Sequence, residues 1–210
     1  MRCPACQTPA LELDPACRQC GLTLEGLSQT LGLPPLLEPP LSDMTGTLSS
    51  GEERSARAVI QTLHQTFPQL SFAVVIQEWP ADIAPALMAF WLFNKGSLFS
   101  AVEKGGDNHG VLLLLDPSQR RSAAMVGYGL EPFIPELSLE ICLTAASGSL
   151  AKGRCGAAIE AFVRELERQL RTVLNALPKT FGLAPVQTWY SSSDSLLEEM
   201  EPAELDEDVY

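Results

Sequence analysis

Two Cys-x-x-Cys pairs, Cys3-Pro4-Ala5-Cys6 and Cys17-Arg18-Gln19-Cys20, lie ten residues apart near the start of the chain. Each pair offers two thiolates from one tight turn, and two such turns make a tetrahedral zinc site. A segment this short cannot bury enough apolar surface to fold alone, so the metal has to supply its folding free energy. Redox Cys-x-x-Cys motifs seldom come doubled on so short a stretch, and nothing in the sequence reads as secreted and disulfide-bonded. The expectation is a four-cysteine zinc ribbon over residues 1–25, with Cys3, Cys6, Cys17 and Cys20 as zinc ligands. The remaining pair, Cys142 and Cys155, is expected to be buried as small hydrophobes.

Charge narrows the partners. The net charge is −12, and eight acids fall between Ala184 and Tyr210 without a single Lys or Arg. Setting that segment aside leaves 18 acids against 14 bases, a net of −4. Nucleic-acid binding needs a basic footprint that this chain lacks, so nucleic acid is not expected as a partner. No basic start followed by an apolar run precedes Cys3, and no apolar stretch approaches the length of a membrane span. The reading is a cytoplasmic protein without a transmembrane segment, whose partners are other proteins.

Leu22-Thr23-Leu24 alternates and is expected to close the ribbon as a short strand. Residues 26–41 hold Leu33-Pro34-Pro35-Leu36 and Glu38-Pro39-Pro40-Leu41, a proline density that predicts a stiff linker. Ser49 with Glu52 has capping-box spacing, and Ala56, Val59, Ile60, Leu63 and Phe67 recur at helical spacing up to Pro68. Leu70–Gln77 reads as a buried strand and Asp82–Asn94 as a helix with Pro85 in its first turn. Gly110–Leu115, the turn Asp116-Pro117-Ser118-Gln119 and Arg121–Gly127 read as a hairpin. A helix is expected within Glu136–Ala146, with Gly148 and Gly153 as breaks. A long one is expected over Gly156–Ala176, closed by Pro178. The order of elements predicts an α/β layer fold with helices on both faces of a small mixed sheet. The acidic, Ser-rich stretch over residues 183–210 reads as a disordered tail.

Four segments carry a family resemblance. Leu41-Ser42-Asp43-Met44-Thr45-Gly46-Thr47-Leu48-Ser49 resembles the opening D-x-x-G-x-L-S of the TPM domain. Asp107-Asn108-His109-Gly110-Val111-Leu112-Leu113-Leu114-Leu115 resembles its D-N-G-V-L-L-L segment, with His109 inserted. Val126-Gly127-Tyr128-Gly129-Leu130-Glu131 matches its G-Y-G-L-E motif. Residues 151–159 stand where the family has G-D-Y-x-x-G-I. The resemblance implies a three-layer α/β/α sandwich over residues 42–182. Members have been described as calcium-binding, and some as phosphatases. This chain departs in having a zinc ribbon. It also has Ile134-Pro135-Glu136 and Gly153-Arg154 where the family often has Thr-Asp and Gly-Asp.

Asp43, Asp107, Asn108 and Glu131 are the candidate oxygen ligands for calcium or magnesium, all at strand or helix ends. The alternative makes Asp43 a turn residue and Asp107-Asn108 an Asx-type loop. His109 has no evident orienting partner, and His64 reads as structural. Gly127 and Gly129 fit either a ligand approach or a tight strand exit. Two functions follow. The first is a non-catalytic interaction module with ribbon and tail as docking elements. The second, a phosphatase-like protein, is a metal-dependent phosphomonoester hydrolase with its metal on Asp43 and Asp107.

Overall fold

A core that fills both faces of a four-stranded sheet organises the chain. The structure is a computed structural model that describes residues 2–11, 14–99 and 108–180. Asp107 and the stretch over residues 183–210 lie outside the described residues. The strands are β1 (Leu41–Asp43), β2 (Ser71–Ile76), β3 (Gly110–Asp116) and β4 (Arg121–Val126), in the order β1-β2-β3-β4. The first three run parallel and β4 returns antiparallel. The helices are α1 (Leu24–Leu31), α2 (Ser50–Thr66), α3 (Pro85–Lys95), α4 (Glu136–Leu150) and α5 (Cys155–Thr180).

Side chains of β2 and β3 alternate between two cores, as strand geometry requires. Phe72, Val74, Ile76, Val111, Leu113 and Leu115 face α2, α4 and α5. Ala73, Val75, Leu112 and Leu114 face α3, where Met88, Ala89 and Leu92 meet them. Burial on both faces explains why these strands read as unbroken apolar runs. Phe72 stacks on Phe162 of α5 at 5.9 Å between ring centroids. Cys142 and Cys155 are buried as small hydrophobes, and burial pushes the Cys142 thiol up to about 12. The α/β layer fold expected from the element order, with helices on both faces of a small mixed sheet, is the architecture observed.

Local chemistry sets the helix ends. Ser49 and Glu52 form the capping box of α2, with the Ser49 N–H donating to the Glu52 carboxylate at 3.0 Å. Pro85 opens α3, three residues later than expected. Ala84 precedes a proline and is held extended (φ −62°, ψ 139°), which excludes an earlier start. α4 runs through Gly148 and ends before Gly153, whose φ of +71° only glycine adopts readily. α5 extends to Thr180, past the expected stop at Pro178.

The ribbon's exit departs most from expectation. Residues 24–31 form α1, where a closing strand and the beginning of the linker were expected. Thr23 caps the helix, its hydroxyl accepting from the Gly26 N–H at 2.9 Å. The prolines start only at Pro34, so nothing upstream forbids a helix, and Leu27 buries its side chain in the α3 core. Leu37, within the proline-rich stretch, docks in the same core. The chain forms two compact units, Met1–Arg171 and Thr172–Tyr210, so the ribbon belongs to the unit that holds the sheet. Of the second unit the structure describes Thr172–Thr180, the last turns of α5.

Candidate metal centre

The two cysteine turns are copies of one another. In the first, the Cys3 N–H donates to the Thr8 carbonyl at 2.8 Å, and the Gln7 N–H donates to the Cys3 carbonyl at 2.9 Å. In the second, Cys17 donates to Leu22 at 2.9 Å, and Gly21 donates to Cys17 at 2.8 Å. Each turn places the residue after its second cysteine in the left-handed region, Gln7 at φ 61° and Gly21 at φ 72°. Both thiols of each pair therefore point into the space between the turns.

The four sulfurs all lie within 4.8 Å of one another. Cys3 Sγ is 3.7 Å from Cys20 Sγ, and Cys6 Sγ is 3.6 Å from Cys17 Sγ. A disulfide would put the paired sulfurs at about 2.05 Å, so these are four free thiols. Four thiolates at about 2.3 Å from a tetrahedral zinc sit about 3.8 Å apart, and the observed spacings fit such a cage. Among the described residues this is the one group of three or more His, Cys, Asp or Glu side chains placed to hold a metal. The Thr8 hydroxyl, together with its backbone, holds the Cys6 thiol down at about 6. The Leu22 N–H works to lower Cys20, but desolvation and the three neighbouring thiols push it up to about 12. An Asp14–Arg18 ion pair at 2.7 Å ties the intervening loop to the second turn.

The ribbon lies against the end of the sheet that carries the Gly-Tyr-Gly motif. A cavity of about 230 Å³ is lined by Cys3, Cys17 and Leu22 from the ribbon and by Phe90, Asn108 and Tyr128 from the body. Arg2 Nε reaches the Glu136 carboxylate of α4 at 3.0 Å.

Asp43, Asn108 and Glu131 do not meet. Asp43 ends β1 and registers with Ile76, which registers with Leu115. Asn108 precedes Gly110 at the opposite end of β3. Five residue steps of strand separate Gly110 from Leu115, about 17 Å. Glu131 follows β4, which runs back to the Asn108 end. The carboxylates thus divide between the two ends of the sheet.

Asp43 organises a turn. It accepts from the Thr45 N–H at 3.0 Å, the Thr45 hydroxyl at 2.8 Å and the Leu48 N–H at 2.8 Å. Burial alone would raise its carboxyl, but the Leu48 and Thr45 donors outweigh it and hold the carboxyl below the ordinary range. Asn108 is an Asx-type loop residue whose Oδ1 accepts from the Gly110 N–H at 3.3 Å. His64 is structural: its Nε2 accepts from the Phe72 N–H at 3.1 Å, and burial lowers its pKa.

The two motif glycines exist for close approach. A Cβ on Gly127 would stand 2.2 Å from both the backbone and side-chain oxygens of Asn108, and one on Gly129 would stand 2.6 Å from the His109 ring. The tight strand exit is the reading the structure supports. Gly127→Ala is accordingly expected to cost about 2–3 kcal/mol, because backbone has to move to admit the methyl group. A denaturant midpoint that falls at unchanged slope would show this, and an unchanged midpoint would refute it.

Sequence reasoning missed Arg121 and Asp116. Asp116 is fully buried and paired with Arg121 at 2.8 Å. The guanidinium also donates to the Trp79 carbonyl at 2.7 Å and lies 4.4 Å from the centre of the Trp79 ring. The sequence carries a signal for the pair, an aspartate opening a turn with an arginine five residues on, but turn chemistry alone also accounts for that pattern.

Residues 41–169 match the family described as the TPM domain. The chain is similar to the N-terminal domain of a protein from P. gingivalis, at 23% identity over 64% of this chain and 83% of that one, with a TM-score of 0.50. It is also similar to the BA42 protein from the psychrophilic bacterium Bizionia argentinensis, at 12% identity over 62% of this chain and 86% of that one, with a TM-score of 0.53. At these identities the likeness is one of fold. No curated protein matches the chain. Among the described residues no helix is long and apolar enough to cross a membrane.

Proposed function

The chain belongs to the TPM domain family, and on that premise we propose that it is a non-catalytic protein-interaction module whose ribbon is stapled by a structural zinc. The observation that carries the reading is the seating of the ribbon. Its cysteine turns share a cavity with Asn108 and Tyr128, so the metal centre shapes a protein surface at the motif end of the sheet. Structural zinc sites built from four cysteines are closed, with no open position for a substrate. The carboxylate at the other end, Asp43, already accepts three hydrogen bonds, two from Thr45 and one from Leu48. Of the cations that would have to hold a phosphoryl group, Arg121 is tied to Asp116 and Trp79. Calcium or magnesium on Asp43, Asp107, Asn108 and Glu131 therefore forms no part of the proposal. The acidic stretch after Ala184 is assigned to docking, through its charge. A cytoplasmic setting suits four thiols that must stay reduced to hold the metal.

Hydrolysis of p-nitrophenyl phosphate by zinc-loaded protein, with and without added calcium or magnesium, tests the reading. The expected result is one zinc per chain and no turnover above buffer. Metal-dependent turnover that disappears in Asp43→Ala would replace the interaction module with a phosphomonoester hydrolase.

A further inference from the structure

We propose that the free edge of β4 is a groove that takes up an extended peptide segment of a protein partner as a fifth strand. The inference rests on the interaction-module reading above and names its docking site.

β4 closes one side of the sheet, and β3 is its neighbour on the other. The Gly127 N–H bonds to the Gly110 carbonyl, which fixes the phase of the β3–β4 ladder. In that phase Arg121, Ala123 and Met125 direct their backbone groups toward β3. Ser122, Ala124 and Val126 therefore turn their N–H and C=O groups outward. Among the described residues no loop or cap backbone bond reaches these three. The strand Arg-Ser-Ala-Ala-Met-Val contains no Pro, Gly or Lys, and its register with β3 runs without a bulge. Edges are usually blunted by such devices, and among the described residues nothing keeps this one from pairing.

A cavity of about 460 Å³ lies along the same strand. Ala124, Met125 and Val126 contribute to its lining. Ala86 of α3 borders it from one helical layer, and Pro135 and Leu139 border it from the other. The ribbon contributes Arg2 and Pro4. The edge thus lies in a depression between the two layers. A single strand fits such a depression better than the edge of a second sheet, whose own covering helices would meet α3 and α4. Strand addition draws affinity from main-chain bonds and selectivity from the side-chain walls. Here the walls are apolar, and the charged groups are Arg2, paired with Glu136, and Glu131. The fitting partner is an extended segment with apolar residues at alternate positions, no acidic cluster, and no proline where its N–H must pair with Ala124.

The test is a titration of the zinc-loaded full chain with short capped peptides of alternating Val and Thr bearing one Lys, followed by backbone amide NMR. Binding should shift Ser122, Ala124 and Val126 and slow their amide exchange. Ala124→Pro removes an N–H that lies outside the β3 ladder, so the fold should persist while binding weakens at least about tenfold. A peptide N-methylated at alternate amides should weaken by a similar factor, and it carries the test if the proline variant does not fold. Silence at these three amides with every peptide would overturn the inference, as would undiminished binding of the N-methylated peptide. A concentration-dependent dimer abolished by Ala124→Pro would also overturn it, by giving the edge to a second copy of the chain. Phosphomonoester turnover would instead defeat the underlying reading, so the two failures are distinguishable.

Discussion

Cys17→Ser should release the metal and unfold residues 2–22 together, while the α/β body stays folded. The ribbon has almost no core of its own. Among its described residues Cys3 is the one buried hydrophobe, and Leu22 is only partly covered against the α3 cluster. Its order comes from two short turns and the sulfurs between them. Structural zinc sites of this type contribute about 10–16 kcal/mol of apparent folding free energy at neutral pH, far more than the Arg2–Glu136 pair or the docked leucines can replace. The body is insulated from the loss because α2, α4 and α5 pack on the sheet independently of the metal. Two measurements check this together. Zinc content should fall from one per chain to none, and the amides of Cys3 and Cys17, bonded to the Thr8 and Leu22 carbonyls, should lose their exchange protection. Amides of β2 and β3 should keep theirs. Cys142→Ser, in the buried core, should leave zinc content unchanged. Persistent protection at Cys3 in metal-free Cys17→Ser protein would mean that something other than metal holds the ribbon.

The second large effect concerns the β3–β4 turn. Asp116 accepts from the Ser118 N–H at 3.0 Å, the Ser118 hydroxyl at 2.7 Å, the Gln119 N–H at 3.1 Å and the Arg121 guanidinium at 2.8 Å. Asp116→Ala should cost about 3 kcal/mol. It removes one partner of a buried pair and leaves Arg121, whose side chain is only 17% exposed, without its carboxylate. Asp116→Asn keeps the shape and part of the bonding and should cost less. The pH dependence separates charge from shape. Burial would raise the Asp116 carboxyl, but Arg121, Ser118 and Gln119 outweigh it and hold it below the ordinary range. A carboxyl with a folded pKa below its unfolded value of about 3.9 binds fewer protons in the native state. Its contribution is complete above that unfolded value and is lost as pH falls through the folded one. The stability advantage of the native chain over Asp116→Asn should therefore hold at neutral pH and shrink below about pH 4. An advantage that does not change across the acid range would show that the carboxylate acts by packing and not by charge.

Much of this fold was legible before any coordinates. The capping box at Ser49 and Glu52, the turn at Asp116-Pro117 and the apolar runs of β2 and β3 are short-range chemistry, and each appears where its residues put it. The cysteine spacing likewise brings four thiols together through two local turns. The errors fell where a term other than the residue pattern won, a local cap or proline in some places and a distant core contact in others. Leu22-Thr23-Leu24 alternates like a strand, yet the chain becomes helical at Leu24 because Thr23 caps it and Leu27 finds the α3 core. Asp82 has the chemistry of a helix start, but the proline at 85 sets the boundary.

The carboxylates make the division clear. Residue identities alone placed Asp43, Asn108 and Glu131 at element ends, because Asp and Asn favour turns and the apolar runs stop there. Nothing local says which end of the sheet each one occupies. That depends on β1 and β3 running parallel while β4 runs back, which places Asn108 and Glu131 at one end and Asp43 at the other. The seating of the ribbon on the body is of the same kind. The spacing of the cysteines determined a pair of turns that brings four thiols together, since thiol geometry is settled within a few residues. Where that pair rests was decided by contacts between residues near position 3 and others near position 128, which only the packed chain brings together.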